Sequence, residues 1–465
     1  MASTGPVLSD ASEIRHHVQS VQGPCEFLTN HADRSGDEKS VVIPVGNMLH
    51  RTISSRSKAS TWMDPGPPPD GGLQAWTQAV MAHFVMFNTW GYISSFGVFQ
   101  TYYVTALGHS PSEISWVGSI QIFLLFFIGA FSGRALDAGF FRYVFVTGVI
   151  VQLIGVFMTS LATEYWQLLL AQGICTGLGN GLQFTPTVAL VSTYFSKRKA
   201  LALALGASGT ATGGIVFPIL VQQLLPKIGF AWTVRVVGFV MLAFGILTAT
   251  VLRPRLPPRR SGPLVEWAAF KEIPFVLFCL GMFLNFWAMY FGFYYIGAFG
   301  RNIIGISFQE SINLLVIMNG VGMVGRLIPA YLADLKFGPL NVITPLAFAC
   351  AILMYSWSAV NSRAGVYAWA CMYGLFSAGM QGLLPATLSS LSWDLKKAGV
   401  RIGMGFTILS LASLTGSPLG GALIQKDHGQ YLYAQMWAGT TMLFGGCTLV
   451  AARIAKTGLV FRARA

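Results

Sequence analysis

The chain has 465 residues, of which 54% are hydrophobic and only 10% charged, with a mean hydropathy of +0.59. A soluble domain carries roughly 25% charged residues, so a soluble enzyme, a disordered protein and a secreted disulfide scaffold are excluded, and most of the surface must face lipid. The net charge is +13, from 30 Lys and Arg against 17 Asp and Glu, and its placement says more than its sum.

Residues 1–70 are polar, carry both signs of charge and end in Pro65, Pro67, Pro68 and Pro69. They read as a disordered N-terminal tail, too poor in apolar residues to order itself. No short apolar core follows a basic start, so no cleaved signal peptide is expected. After Asp70-Gly71-Gly72 the chain turns apolar. At roughly 20 residues per span, hydropathy predicts twelve helices near 76–103, 112–133, 143–162, 167–192, 201–224, 231–252, 274–299, 311–333, 340–360, 364–390, 402–424 and 431–452. The expected architecture is an all-α polytopic membrane protein: a six-helix bundle over 71–252, a basic linker over 253–272, a second six-helix bundle over 273–452 and a short tail over 453–465. Five of the six cysteines fall in apolar runs and Cys25 in the tail. No spacing suggests a disulfide or a zinc site.

Orientation follows from the basic residues. With the tail in the cytoplasm, the inner loops and C-terminus hold eighteen Lys and Arg and the outer loops four, a clear positive-inside bias. Topology thus explains the basic charge without nucleic acid as a partner, and Lys197-Arg198-Lys199 adds a contact for anionic membrane lipid.

The halves match at an offset of about 200 residues. Asn88-Thr89-Trp90 answers Asn285-Phe286-Trp287, Asp137 answers Asp334, Pro186 answers Pro385, Lys197 answers Lys396 and Pro218 answers Pro418. Five pairs in order, drifting by only a few residues, indicate two parallel repeats. Six spans plus six around a basic central loop is the architecture of the major facilitator superfamily, whose members bind substrate near mid-membrane between the halves.

Two motifs narrow the resemblance. Asp70-Gly71-Gly72-Leu73-Gln74-Ala75-Trp76 resembles the opening signature of the monocarboxylate transporter family. Tyr194-Phe195-x-Lys197-Arg198-x-x-Leu201-Ala202 resembles its second signature, at the start of span five. Gly177-x-Gly179 with Pro186 fits that family's fourth span, and Phe96-Gly97-Val98-Phe99 looks most like its fungal branch. That branch includes carriers for small organic acids, a vitamin and products of biosynthetic gene clusters. The resemblance implies a carrier; it does not name the cargo. Two departures stand out: Ser94 occupies the position of the family's span-one Lys, and Gly322 that of the Asp four residues before its span-eight Arg, which is kept here as Arg326. The family's usual pair for proton coupling is therefore absent.

Arg326 is the sharpest candidate. It lies eight residues before Asp334, about 12 Å inside the helix end, where a guanidinium costs at least about 2.5–3.5 kcal/mol. All 17 acids fall in the tail, loops or span ends, which leaves a substrate anion, a helix dipole or water as its partner. Its fork suits a carboxylate; the alternative is snorkelling or a clamp on the nearby loop. His83 is the one histidine within a span and a candidate proton site, against the reading of a neutral histidine bonded to a neighbouring helix. Asn88 and Asn285 at matching depths, and Gln183 and Gln381 near the paired prolines, are candidates for substrate binding or for helix packing. Trp287, Tyr290, Tyr294 and Tyr295 form an aromatic cluster able to cradle an apolar body, with Tyr294 taken as a substrate contact, against the commoner reading of such a stripe as helix packing or an interface belt. Asp137 and Asp334, with Arg134, Arg142 and Lys336, resemble the superfamily's inner-loop gating motif, in which a carboxylate caps a neighbouring helix.

No nucleophile–base set, paired catalytic carboxylates or phosphate-cradling motif stands in or near the spans, so no enzyme activity and no cofactor are expected, and the carrier runs on gradients. The expected function is transport of an organic acid or carboxylate-bearing metabolite by alternating access, with protons as a second partner. The alternatives are efflux of a larger fungal secondary metabolite and, third, a non-transporting nutrient sensor. The plasma membrane is the first expectation for its location, ahead of a vacuolar or other internal membrane.

Overall fold

The computed structural model describes residues 66–256, 265–391 and 398–459. The tail expected over 1–70 falls outside these up to residue 65, as do the middle of the linker (257–264), Lys396 with Lys397, and residues 460–465. The described residues form helices and connecting turns, with no strand among them.

Twelve helices follow one another: α1 (72–107), α2 (Pro111–Asp137), α3 (Phe141–Thr159), α4 (165–194), α5 (199–228), α6 (230–251), α7 (Ile273–Ile304), α8 (Phe308–Phe337), α9 (Pro339–Ala359), α10 (Arg363–Ser390), α11 (Ala398–Lys426) and α12 (Leu432–Thr457). Eight of the helical runs are long and apolar enough to cross a membrane by length and composition, with α5 and α6 counted as one run. They form one run because the turn between them is a single break at Gly229, whose φ of +73° a glycine adopts without a Cβ clash. The sequence predicts a longer loop there. α1 and α4 are each interrupted by a π turn, at Phe87–Gly91 and Leu169–Cys175. A π turn winds one extra residue into the helix and changes the direction in which later side chains point.

The repeat extends to the helix starts. Ser110 and Glu113 form a capping box at α2, and Ser307 and Glu310 form the same box at α8. Each serine accepts from the glutamate N–H and each carboxylate accepts from the serine N–H, which satisfies two orphan donors at once.

The first and second halves meet along two helix pairs. α2 runs beside α11, from the bond Ser112 Oγ to Pro418 O (3.3 Å) down to Gly403, where a Cβ would stand 2.9 Å from Ala130 Cα. α5 runs beside α8, with Gly214 flat against the Asn319 amide. One end of the molecule carries Asp70, Asp334 and the linker and is called the linker end; the opposite end is the far side.

At the linker end the two signature segments meet. The N–H groups of Ser196 and Lys197 donate to Asp70 Oδ1 (2.7 Å for Lys197), and Asp70 N–H donates to Tyr194 O (3.1 Å). Trp76 packs on Phe195 with ring centroids 5.0 Å apart. Arg255 Nη2 adds bonds to Gly66 O and Pro67 O. Residues 66–70, assigned to the tail by composition, are thus fastened to the α4–α5 turn.

Candidate functional site

Between the halves lies a cavity that leaves about 50 Å³ for the centres of water-sized molecules, room for a few waters. Its walls are aromatic. Trp90, Phe126 and Phe184 from the first half face Phe286, Tyr290 and Phe406 from the second. Trp90 stacks on Tyr290 across the interface (6.2 Å, 13°), and Phe406 packs on both Phe126 and Phe184 at 5.1 Å. Three further polar side chains line the same cavity, Thr210 from α5, Arg326 from α8 and Gln381 from α10.

Arg326 is 2% exposed, and its Nη1 is buried without a hydrogen-bond partner among the described residues. The acids at described positions are engaged elsewhere or lie at helix ends. Glu266 and Glu272 hold Arg401, Glu310 holds Arg363 and its own cap, and Asp334 and Asp70 hold backbone N–H groups. Gly322 makes room for the guanidinium: a Cβ there would sit 3.1 Å from Nη1. The site is one unpaired fork donor in an aromatic box, which suits a planar or bulky apolar body ending in an anion.

The structure brings Arg326, Gln381 and, from the aromatic cluster, Tyr290 to this wall and places the other candidate contacts outside it. Asn88 Nδ2 donates to Met241 O on α6 (2.8 Å), while Gln152 Nε2 donates to Asn88 O. Asn285 Nδ2 donates to Gly281 O and lies against Gly445 of α12. Gln183 Nε2 donates to Gln152 Oε1 and Gly179 O, between α3 and α4. All three amides join helices within one half. Tyr294 sits one turn beyond the cavity, packed on Phe96 at 5.2 Å. Trp287 turns the other way, donating from Nε1 to Thr415 Oγ1 and packing on Trp437.

His83 is bonded on both ring nitrogens to α5 or its junction. Nδ1 lies 3.2 Å from Leu205 O and 3.0 Å from Ser208 Oγ, and Nε2 lies 3.0 Å from Thr212 Oγ1. This is the geometry of a histidine tying α1 to α5.

The linker end is shut by a latch. Ala200 and Leu201 N–H donate to Asp334 Oδ1 and Oδ2 at 3.2 and 2.8 Å, so a carboxylate from α8 caps the start of α5. Beside it, Lys199 Nζ donates to Ser389 Oγ at 3.0 Å. Asp137 and Arg134 occupy the matching end of α2, and Arg142 is exposed at the start of α3.

Sequence reasoning missed the aromatic wall by one residue. Phe184 and Phe286 directly follow the predicted Gln183 and Asn285, and one step along a helix turns the side chain by about 100°. Trp90 reaches the cavity because it lies in the π turn Phe87–Gly91, whereas its repeat partner Trp287 lies in regular helix and points away. The one readable signal is that the tryptophan sits beside the amide that starts the repeat.

The Major Facilitator Superfamily profile matches residues 79–417. A protein of Gibberella zeae described as an MFS-type transporter is 46% identical, over 92% of this chain and 97% of its own. An aspyridones efflux protein of Emericella nidulans is 36% identical, over 83% of this chain and 79% of its own. Among solved structures, the human organic anion transporter MFSD10 superposes with a TM-score of 0.66 at 12% identity, covering 82% of this chain and all of that one. The Escherichia coli fucose:proton symporter gives 0.61 at 14%, covering 82% and 98%. At such identities the two structures speak for the fold alone.

Proposed function

The chain belongs to the major facilitator superfamily, a family of membrane transporters and not of enzymes, and on that premise we propose that it exports an organic anion with a large aromatic or apolar body. One observation carries the reading: Arg326, whose buried Nη1 has no hydrogen-bond partner among the described residues, lines a cavity walled by six aromatic rings and by aliphatic side chains. A small hydrophilic acid would leave those rings without contacts. A conjugated acid would fill them and neutralise the charge.

Efflux rather than uptake is supported by the fungal relatives, one of which is named for the export of a secondary metabolite. This favours the larger-cargo alternative over a lactate-like acid, while the anionic end of the substrate is kept from the carboxylate reading. The Lys and Arg asymmetry supports a cytoplasmic linker end, so Asp334 and Lys199 would form the inner latch. In the alternating-access cycle the latch opens to admit the anion, Arg326 and Gln381 hold its polar end, the rings hold its body, and the far side then opens.

Trp90 in the cavity supplies the test. Tryptophan fluorescence of the purified protein is titrated with 2-naphthoate and with the uncharged 2-naphthamide. The acid is expected to bind about ten times more tightly, since a hydrogen bond to a charged group is worth about 1.5–3 kcal/mol. Equal binding of acid and amide overturns the anion reading, and failure of proteoliposomes to move any acid of this class overturns export.

A further inference from the structure

From the cavity wall outward, the far side closes over tyrosines whose hydroxyl groups have no hydrogen-bond partner among the described residues. Tyr290 and Tyr294 lie one turn apart on the same face of α7, with ring centroids 6.3 Å apart, and are 6% and 5% exposed. Neither hydroxyl has a hydrogen-bond partner. Tyr290 stacks on Trp90 at the cavity wall. Tyr294 packs on Phe96 of α1, and its hydroxyl lies over Gly118 of α2, where a Cβ would come within 2.8 Å of it. Nearby, Gly421 of α11 lies close to both Tyr295 and Ser112.

A buried hydroxyl without a partner gives up a hydrogen bond that water would have supplied. Phenylalanine would keep every ring contact described here and avoid that loss. The hydroxyls therefore need a state in which they are satisfied, and separation of α1 and α2 from α7 would expose them in order along one stripe.

We propose that Tyr290 and Tyr294 donate in turn to an oxygen acceptor on the body of the departing solute (a carbonyl or enolate oxygen, apart from the carboxylate held by Arg326), and that they lie unsatisfied only while the far side is shut. The second hydroxyl lies about 6 Å farther along the helix than the first. Two consequences follow. Anions with such an oxygen on the body leave faster than acids whose body is bare hydrocarbon, and closure of the far side is opposed by the groups it buries. The linker-end latch differs, since there closing makes bonds. The inference rests on the cavity being the solute site, but its main test needs no solute.

Ser115 of α2 is fully buried on the far side. In a full-length background lacking the native cysteines, Ser115→Cys is labelled with a small thiol reagent on purified protein, with and without Tyr294→Phe. Removing the hydroxyl should favour closure and slow labelling by about 10-fold, the order expected for one unsatisfied hydrogen bond. Tyr290→Phe should act in the same direction. An unchanged or faster rate in Tyr294→Phe, with the protein melting normally, overturns the proposal. In proteoliposomes, Tyr294→Phe should slow 6-acetyl-2-naphthoate more than 2-naphthoate, with half-saturation unchanged for both. Equal slowing removes the solute contact. If the parent protein moves neither acid, the proposed function fails, and the labelling rate still decides the role of the hydroxyls.

Discussion

Two arginines are buried to a similar degree and keep opposite company. Arg401, at the start of α11, is 5% exposed. Its guanidinium donates to Glu266 Oε2 at 2.9 Å, to Glu272 Oε1 at 2.6 Å and to Leu391 O at 3.2 Å. Those bonds tie the end of the linker to the base of the second half. Arg326 is 2% exposed, on a cavity, with no carboxylate bonded to it among the described residues. The same desolvation penalty is offset at one site and left standing at the other. Burial of a charge is thus no sign of function by itself; the missing partner is.

The largest effect should come from breaking the satisfied site. Arg401→Met strands two carboxylates, one of them nearly buried, and should destabilise the protein by about 3–5 kcal/mol. It would be read as a large fall in melting temperature and yield, with the surviving protein still binding 2-naphthoate. A normal melting temperature would show that the triad is not structural.

Arg326→Gln should do the reverse. Melting stays level or rises, because an unpaired buried charge is removed, while the apparent dissociation constant for the acid rises about 10- to 150-fold. Wild-type acid binding by a well-folded Arg326→Gln protein would end its role as the anion site.

Gly322→Asp makes the second arginine resemble the first. The new carboxylate would stand against Nη1, with Ala378 and Gly374 giving way slightly. Acid binding at pH 7 should fall about 10-fold, the order of one lost charged hydrogen bond. Unchanged acid binding by a well-folded Gly322→Asp protein would show that the two groups do not pair.

His83→Gln should have the smallest effect. The ring is bonded to Leu205, Ser208 and Thr212, and glutamine keeps some of this bonding. A loss of about 1 kcal/mol in stability and an unchanged pH profile of transport are expected. Loss of the pH dependence would restore His83 as the proton carrier.

The helices were legible because lipid demands long apolar runs, and the repeat because prolines and acids recur at fixed offsets. Arg326 was legible because a deep charge is rare enough to be conspicuous. The cavity wall was not. Phe184, Phe286 and Phe406 belong to a sequence rich in phenylalanine, and nothing in composition tells which face of a helix meets the other half. Asn88, Asn285 and Gln183 were drawn to the right depth, but their amide N–H groups donate inside their own halves. The π turn that aims Trp90 leaves no trace in residue type. The reach of Asp334 to Ala200 joins positions more than a hundred residues apart, so local pattern could suggest a cap without naming the helix it caps.

The fastening of residues 66–70 bears on where the chain can be cut. Asp70 holds the N–H groups of Ser196 and Lys197, and Asp334 holds those of Ala200 and Leu201, so the root of the tail and the latch grip the same short turn from opposite sides. Deleting everything before residue 66 spares the whole arrangement, whereas five residues more would release one hand of it. A shortened protein beginning at 71 should therefore open more readily at the linker end than one beginning at 66, although both lack the same tail for any partner in the cell. Tags and fluorescent fusions placed close to Asp70 would act as levers on the linker end, and a defect seen with them would report on mechanics before it reported on the tail.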